Sequence, residues 1–427
     1  MPITFYLINL GCKVNAYEIE SVGRMLEEEG FVRAASDEDA DVTVIFTCAV
    51  TNTAAAKSRK QIHRSRRLKP HGVIAVAGCY AQIEPDALKE ADILIGSAHK
   101  QALAGYIRQY LQDGIPVRDV TDLSDLPFES LSADHFSDRT RAFLKIQDGC
   151  NQFCTYCVIP YARGRERSMP PDEVIEEVRR ISRSHREIVL AGIHTGRYGT
   201  EYGVTLTDLL NRILKEVPEL PRIRISSIEV SELSDEFIGL IRDDPRIARH
   251  LHIPVQAGSD LVLRRMGRPY DTAEYYAKIS EIRSLIPGIS ISTDLMVGFP
   301  GETDEAFEET LQFLDRCAFS FLHVFPFSLR KHTAAEQMDG HLPPEVKKRR
   351  AAVCLEKSRQ LQEAYILSKK NQEVIVLTET ENRGYSSEYI EVNLSEPYER
   401  GRFVRAVITG SDHGKATAEG RGYLETE

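Results

Sequence analysis

The run CNQFCTYC places Cys150, Cys154 and Cys157 directly after an apolar stretch and Gly149. Three thiolates on one loop, spaced by three and two residues, can surround a single metal centre. A structural zinc site needs four protein donors in a tetrahedron. No histidine or fourth cysteine follows closely, and His135 is the nearest histidine upstream. A [4Fe–4S] cluster has four irons, so three cysteines leave one iron open to a substrate or cofactor. The spacing favours an iron–sulfur centre over zinc, and over buried thiols without a ligand role.

A second set of cysteines emerges from repetition. Three times in the first hundred residues an apolar β-type run meets a cysteine and then a helical stretch. Ile3–Leu10 leads to Gly11-Cys12 and Ala16–Glu29. Val42–Thr47 leads to Cys48 and Thr53–Leu68. Val73–Ala77 leads to Gly78-Cys79 and Glu84–Ala91. A further strand is expected at Ile93–Gly96. Strands alternating with helices imply right-handed crossovers and a buried parallel sheet, whose ligands bind beyond the strand carboxyl ends. A single cysteine there reads as a buried thiol; three in equivalent positions converge on one point.

The elements that must position the first triad follow Asp119–Thr140, a polar stretch that reads as a linker. Strands are expected at Ala142–Gln147, Glu187–Ala191, Arg222–Ile228, His250–Val255, Ser290–Val297 and Phe319–Phe325. Helices are expected at Pro171–Ser184, Thr205–Val217, Ser234–Asp243, Thr272–Ile286 and Thr303–Cys317. Six β/α units make a barrel or partial barrel with its site at the strand carboxyl ends. Pro343–Lys370 reads as a long amphipathic helix with Ala351, Cys354, Leu355, Leu361 and Tyr365 on one stripe. After Gln372 the sequence becomes alternating and turn-rich, as in a small β-barrel. The expected organisation is an α/β domain at 1–118, a linker at 119–140, a partial (β/α)6 barrel plus long helix at 141–371, and a β-barrel at 372–427.

The chain has 427 residues with 42% hydrophobic and 28% charged residues, the composition of an ordinary globular protein and not of a disordered or fibrous one. The N-terminus lacks a signal-peptide pattern, and no apolar stretch approaches the roughly 20 residues of a membrane helix. The expectation is a cytoplasmic protein in a reducing compartment, whose eight cysteines are metal ligands or free thiols and not disulfides. The net charge of −10 argues, on average, against a mainly electrostatic nucleic-acid binder.

CxxxCxxC with Tyr156 before the last cysteine, at the first strand of a β/α barrel, resembles the radical S-adenosylmethionine (SAM) superfamily. The stretches NLGCKVN, FTCAVT, AGCYAQ, IQDGCNQFCTYCVIPYARGRERS, HIPVQAGSD and TDLMVGFPGET further resemble the methylthiotransferases of that superfamily nearly end to end. The resemblance implies two [4Fe–4S] clusters, one on Cys150, Cys154 and Cys157 and an auxiliary one on Cys12, Cys48 and Cys79 that supplies or carries sulfur. It implies two SAM molecules per turnover. One methylates the sulfur; the other is reduced by a low-potential donor such as flavodoxin or ferredoxin to a 5′-deoxyadenosyl radical. GCKVN followed by Tyr17-Glu18 resembles the branch that methylthiolates C2 of threonylcarbamoyl-adenosine beside the tRNA anticodon. The rival branches act on isopentenyl-adenosine (GCQMN) or on a ribosomal-protein aspartate (GCPKN). Ala16 and Phe46 depart from the usual Gln and Asn and bear on the surroundings of a cluster, not on its ligands. A rival of another class is a non-catalytic iron–sulfur or zinc RNA-binding scaffold.

The same resemblance places SAM contacts at Tyr156, Ala191-Gly192, Glu229, Gln256, Gly258-Ser259 and Val297–Pro300, all at barrel strand ends. A threonylcarbamoyl carboxylate needs a cation, and Arg163, Arg165 or Arg197 is expected to supply a bidentate guanidinium. The C-terminal module resembles the TRAM domain. From Gln372 onward it carries six Lys+Arg against eleven Asp+Glu, so RNA affinity is sought elsewhere. Candidates are Lys57–Lys69, with seven positive residues and no acidic one, then Arg163, Arg165 and Arg167, and Lys347–Arg350. Tyr385 and Tyr389 are candidates for stacking on unpaired bases. Cys317 and Cys354 read as packing thiols, and His63, His252 and His323 as ordinary histidines. A monomer is expected.

Overall fold

A computed structural model of the chain describes residues 2–133, 136 and 139–424; His135 lies outside the described residues. A six-stranded parallel sheet opens the chain, in the order Val32–Arg33, Thr4–Asn9, Val42–Thr47, Val73–Gly78, Ile93–Ile95, Val117–Asp119. The outer strands Val32–Arg33 and Val117–Asp119, and the helix Leu103–Asp113 between the last two strands, add to the expected elements. The two edge strands are too short to show a period. The strands that precede the cysteines are adjacent in the sheet and in register, Asn9 opposite Phe46 and Thr47 opposite Gly78. Neighbouring strands lie about 4.8 Å apart, so equivalent positions after them share one edge.

The helices after the first two of these strands run Lys13–Glu28 and Asn52–Leu68. The third differs from expectation. It begins at Cys79 itself and ends at Ile83, and only Pro85–Ala87 forms a further 3-10 turn, because Pro85 cannot continue the helical hydrogen bonding.

The central strands form two three-stranded parallel sheets. Arg222–Ile225, Glu187–Ala191 and Arg141–Lys145 make one; His250–His252, Ser290–Val297 and Phe321–Pro326 make the other. A parallel bridge between Ile223 and Ile247 and the bond from Ala248 N to Ile223 O join them into a six-strand partial barrel. Helix Lys13–Glu28 packs against Arg141–Lys145, and its Ala16 and Tyr17 belong to the barrel's hydrophobic core. The departure at Ala16 thus has a packing role. In the segment 119–140, Tyr17 Oη bonds Leu131 O, and Leu123, Leu131, Ala133 and Phe136 are buried, while Asp122, Ser124, Asp125 and Pro127 are exposed.

The helix Pro344–Ser368 buries Ala351, Cys354 and Ser358, with Leu361 and Tyr365 partly covered. Leu355, expected on the same stripe, is 51% exposed. The buried stripe runs through Ala351, Cys354 and Ser358, with Ser358 bonding the backbone of Leu322, and Leu355 lies at its exposed margin.

The chain ends in a closed five-stranded barrel in the order Glu373–Thr380, Arg383–Ser386, Glu391–Leu394, Lys415–Tyr423, Phe403–Asp412, with its own apolar core. Its loop after Ser386 plugs the amino ends of the partial-barrel strands. Arg222 donates to Ile375 O at 2.9 Å, and Arg224 to Ser386 O at 3.1 Å and Ser387 O at 2.9 Å. Tyr389 stacks on His250 with centroids 4.9 Å apart, and Arg141 lies over the rings of Tyr385 and Tyr389. These two tyrosines were expected to meet RNA bases. They are instead taken up by cationic groups at the floor of the barrel.

Candidate active site

The strand Arg141–Lys145 delivers the chain to Gln147-Asp148-Gly149. Gly149 has φ +72°, and a Cβ there would lie 1.9 Å from Arg165 O. Only glycine lets the cysteine loop turn this tightly. Cys150 N then bonds Gly164 O at 3.1 Å, Thr155 N bonds Met266 O at 3.0 Å, and Cys157 N bonds Cys154 O at 2.9 Å. The Gln147 side chain clamps the loop from within, donating to Asp148 O and Gly149 O and accepting from His194 N at 2.7 Å.

Cys150, Cys154, Tyr156 and Cys157 line a cavity of about 530 Å³ at the strand carboxyl ends. Ala191, Gly192, Glu229 and Gln256 line the same cavity. Ser259 and Val297 do not. Ser259 is buried and donates to Glu309 at 2.6 Å, and Val297 is 1% exposed within the core. Val297 lies three positions from the cavity-lining Asp294 on the same strand, so alternation turns its side chain to the opposite face, and Ser259 lies beyond its strand, at the start of helix Asp260–Met266.

Cys12, Lys13 and Val14 also line this cavity. Of the first triad Cys12 therefore reaches the barrel mouth, while Cys48 and Cys79 do not line the cavity and Cys79 is buried against Arg163. Cys79 and Cys12 both act electrostatically on Cys48. Gly78, φ +101°, turns the chain into Cys79 where a Cβ would meet Thr47 O at 2.8 Å. Asn15 ties two of the cysteine-bearing turns together, accepting from Cys12 Sγ at 3.5 Å and donating to Thr47 O at 3.2 Å.

Both triads have the donor chemistry of a cationic cluster. Burial, reinforced by neighbouring thiols, pushes Cys48 up to about 11 and Cys157 up to about 12. Three adjacent thiolates are stable at neutral pH only around a positive centre. Each triad also has an N–H aimed at sulfur. Arg163 Nε lies 3.1 Å from Cys79 Sγ, Arg268 Nη1 3.3 Å from Cys154 Sγ, and His194 Nδ1 3.6 Å from Cys150 Sγ.

Arg163 is fully buried. It pairs with Glu18 at 2.7 Å and Asp148 at 3.4 Å and donates to Asn15 at 2.9 Å. Glu18, itself fully buried, also meets Lys145 at 3.0 Å and Lys100 at 3.4 Å. Burial pushes the Glu18 carboxyl up, but Arg163, Lys100 and Lys145 together hold it well below the usual range. Arg163 thus joins the helix Lys13–Glu28 to the start of the second cysteine loop and offers no free guanidinium to a substrate carboxylate. Arg167 is buried against Asp148 at 3.4 Å. Arg165 is exposed, over the ring of Phe153, and Arg197 is exposed and 3.4 Å from Glu166; neither lines the cavity.

Several site residues were not anticipated. His194 stands between Glu232 at 2.6 Å and Glu166 at 3.3 Å. Burial lowers its pKa, but hydrogen bonds with Cys150, Glu166 and Glu232 carry it up to about 12. Arg268 pairs with Glu229. His252 contacts Asp294 at 3.3 Å on the cavity wall. The available signals were position alone, since His194 lies two residues past Gly192 and Lys13 directly follows Cys12.

A CxxxCxxC loop at the carboxyl end of a six-strand partial barrel defines a radical SAM protein. Residues 144–314 match the radical SAM superfamily, and residues 4–96 match the uncharacterized protein family UPF0004. The chain is 40% identical to the threonylcarbamoyladenosine tRNA methylthiotransferase MtaB of Bacillus subtilis over 93% of its length and 96% of that protein's. With its namesake in Aquifex aeolicus it shares 33% over 93% and 98%. With the tRNA-2-methylthio-N(6)-dimethylallyladenosine synthase of Clostridium botulinum it shares 34% over 81% and 79%. The chain belongs to the radical SAM methylthiotransferase family. Among solved structures, the radical SAM methyltransferase TsrM of Kitasatospora setae matches with a TM-score of 0.58 at 15% identity, over 78% of this chain and 77% of that one, a likeness of fold.

Proposed function

We propose that this protein methylthiolates C2 of threonylcarbamoyl-adenosine beside the tRNA anticodon, using two [4Fe–4S] clusters and two SAM molecules per turnover. The observation that carries the reading is that Cys12 lines the same cavity as Cys150, Cys154 and Cys157. Cys150, Cys154 and Cys157 would hold the cluster that binds SAM, and Cys12, Cys48 and Cys79 the auxiliary cluster. When bound, the clusters supply the electron that cleaves SAM and the sulfur to be transferred. The chain's own residues then orient the reactants. Glu229, fixed by Arg268, and Gln256, with φ +68° at its strand end, present polar groups to the cavity. Ala191-Gly192 leave room for backbone contact.

RNA binding is assigned to helix Asn52–Leu68. Lys57, Lys60, Arg64 and Arg67 are exposed, three or four positions apart on one face. Arg59, Arg66 and Lys69 turn inward, to Tyr80, to Asp92 at 2.6 Å, and to Thr43 at 2.5 Å. Of Lys347–Arg350, Arg350 is withdrawn to Glu302 at 2.6 Å, which leaves Lys348 and Arg349 exposed. Such a stripe suits phosphates without base selectivity. Among the described residues no helix is long and apolar enough to cross a membrane. A cytoplasmic monomer reduced by a flavodoxin- or ferredoxin-like donor fits this reading.

Nucleoside mass spectrometry of tRNA from a deletion strain tests the substrate. Loss of the methylthio group from threonylcarbamoyl-adenosine is expected. Loss from isopentenyl-adenosine instead would reassign the enzyme to the other tRNA branch.

A further inference from the structure

Four cationic or ionisable basic side chains line the main cavity: Lys13, His194, His252 and Arg268. Three are engaged by acids. His194 lies between Glu166 and Glu232, His252 against Asp294, and Arg268 against Glu229. Lys13 has neither a hydrogen-bond nor an ion-pair partner among the described residues. It opens the helix that follows Cys12, so its position is fixed beside one of the sulfur-bearing turns. Burial disfavours its charge, and the groups acting on it do not pair with it. Tyr389 and Cys12 favour the ammonium without a hydrogen bond to it, while Arg141 and Arg224 are cations whose own acids are Glu379 at 2.9 Å and Glu187 at 2.7 Å. An uncompensated ammonium in a partly enclosed cavity is costly unless an anion arrives with the ligand.

We infer that Lys13 is a specificity-determining residue that binds a carboxylate on the substrate nucleoside. The assignment rests on the functional reading above and deepens it, since threonylcarbamoyl-adenosine carries a carboxylate where an isopentenyl group carries only hydrocarbon. Arg163, Arg165 and Arg197 do not fill the role, because the first is spent on Glu18 and the others lie outside the cavity. Asp294, the cavity's other nearby acid, feels the charge of Lys13 but makes its close contact with His252 at 3.3 Å, so the ammonium keeps its hydrogen-bonding positions for a ligand. A lysine suits the task because one ammonium hydrogen-bonds a single carboxylate from several directions.

The test uses two anticodon stem–loops, one bearing threonylcarbamoyl-adenosine and one in which the threonyl carboxylate is a carboxamide. Binding to the reconstituted holoenzyme and methylthiolation are both measured. The wild type is expected to favour the carboxylate by about 10–100-fold, the range for a charge-assisted hydrogen bond. Lys13→Met is expected to bring that ratio close to one, and Lys13→Arg to restore most of it, which a merely structural role would not do. A ratio in Lys13→Met equal to that of the wild type overturns the assignment alone. A parallel loss of SAM affinity in Lys13→Met overturns it by placing Lys13 on the cofactor. A wild type that does not distinguish the two stem–loops overturns both the assignment and the substrate reading beneath it.

Discussion

Arg163 donates its Nε–H to Cys79 Sγ at 3.1 Å, although 84 residues separate them and they lie in stretches matched by two different family models. The same guanidinium meets Glu18 and Asp148. One buried side chain therefore couples the first-domain cysteines to the strand end from which the second cysteine loop springs.

Removing that group leaves two buried carboxylates short of a cation, which costs about 3–5 kcal/mol. Arg163→Met is expected to lower the chemical unfolding midpoint and to reduce iron from about eight per chain toward about four. Denaturation curves and iron analysis of anaerobically reconstituted protein check both. Undiminished iron would show that the cluster does not depend on this contact.

Glu187 gives a pH signature. Burial raises its carboxyl pKa, but Arg224 and Arg222 outweigh burial and hold it down to about 2. A depressed pKa contributes stability above the unfolded value near 4.5 and loses it as pH falls from there toward 2. The shift corresponds to about 3 kcal/mol. Wild-type stability should fall more steeply below pH 4.5 than that of Glu187→Gln, measured as the unfolding midpoint against pH.

Cys317 and Cys354 are buried, and burial pushes both thiols up to about 12. They stay protonated at neutral pH as packing thiols of the barrel core, without the two further cysteines that each triad brings to one loop or sheet edge. Replacing either with serine buries a hydroxyl and should cost about 1–3 kcal/mol. Iron content should not change, and metal analysis of the two variants decides the point.

The exposed stripe Lys57, Lys60, Arg64 and Arg67 predicts a salt effect. Replacing all four with alanine should reduce the slope of log affinity against log salt by about 3. Filter binding of tRNA across a salt series measures it. An unchanged slope would remove this helix from the RNA surface.

Much of the fold was legible because periodic apolar runs and glycine–cysteine punctuation are local signals. The strand positions Val42–Thr47 and Glu187–Ala191 needed nothing beyond their own residues. Partners in space were not legible. Arg163 follows Cys157 by six residues and reads as a free cation, but the acids that claim it come from positions 18 and 148. Tyr385 and Tyr389 read as exposed aromatics because Arg141 and His250, which cover them, lie more than a hundred residues upstream. Lys13 was visible only as part of a motif; its lack of a partner is a property of the folded cavity.

The ion network centred on Glu18 has a consequence for how catalysis is staged. Fully buried charges bound on several sides do not part and rejoin during turnover without exposing carboxylates and amines to one another's absence. The network therefore opposes separation of the two cysteine-bearing walls. Movement falls to the RNA, whose adenine must leave its stack and evert into the cavity. That manoeuvre costs least for a base already in a single-stranded loop, which is where the nucleotide beside the anticodon lies.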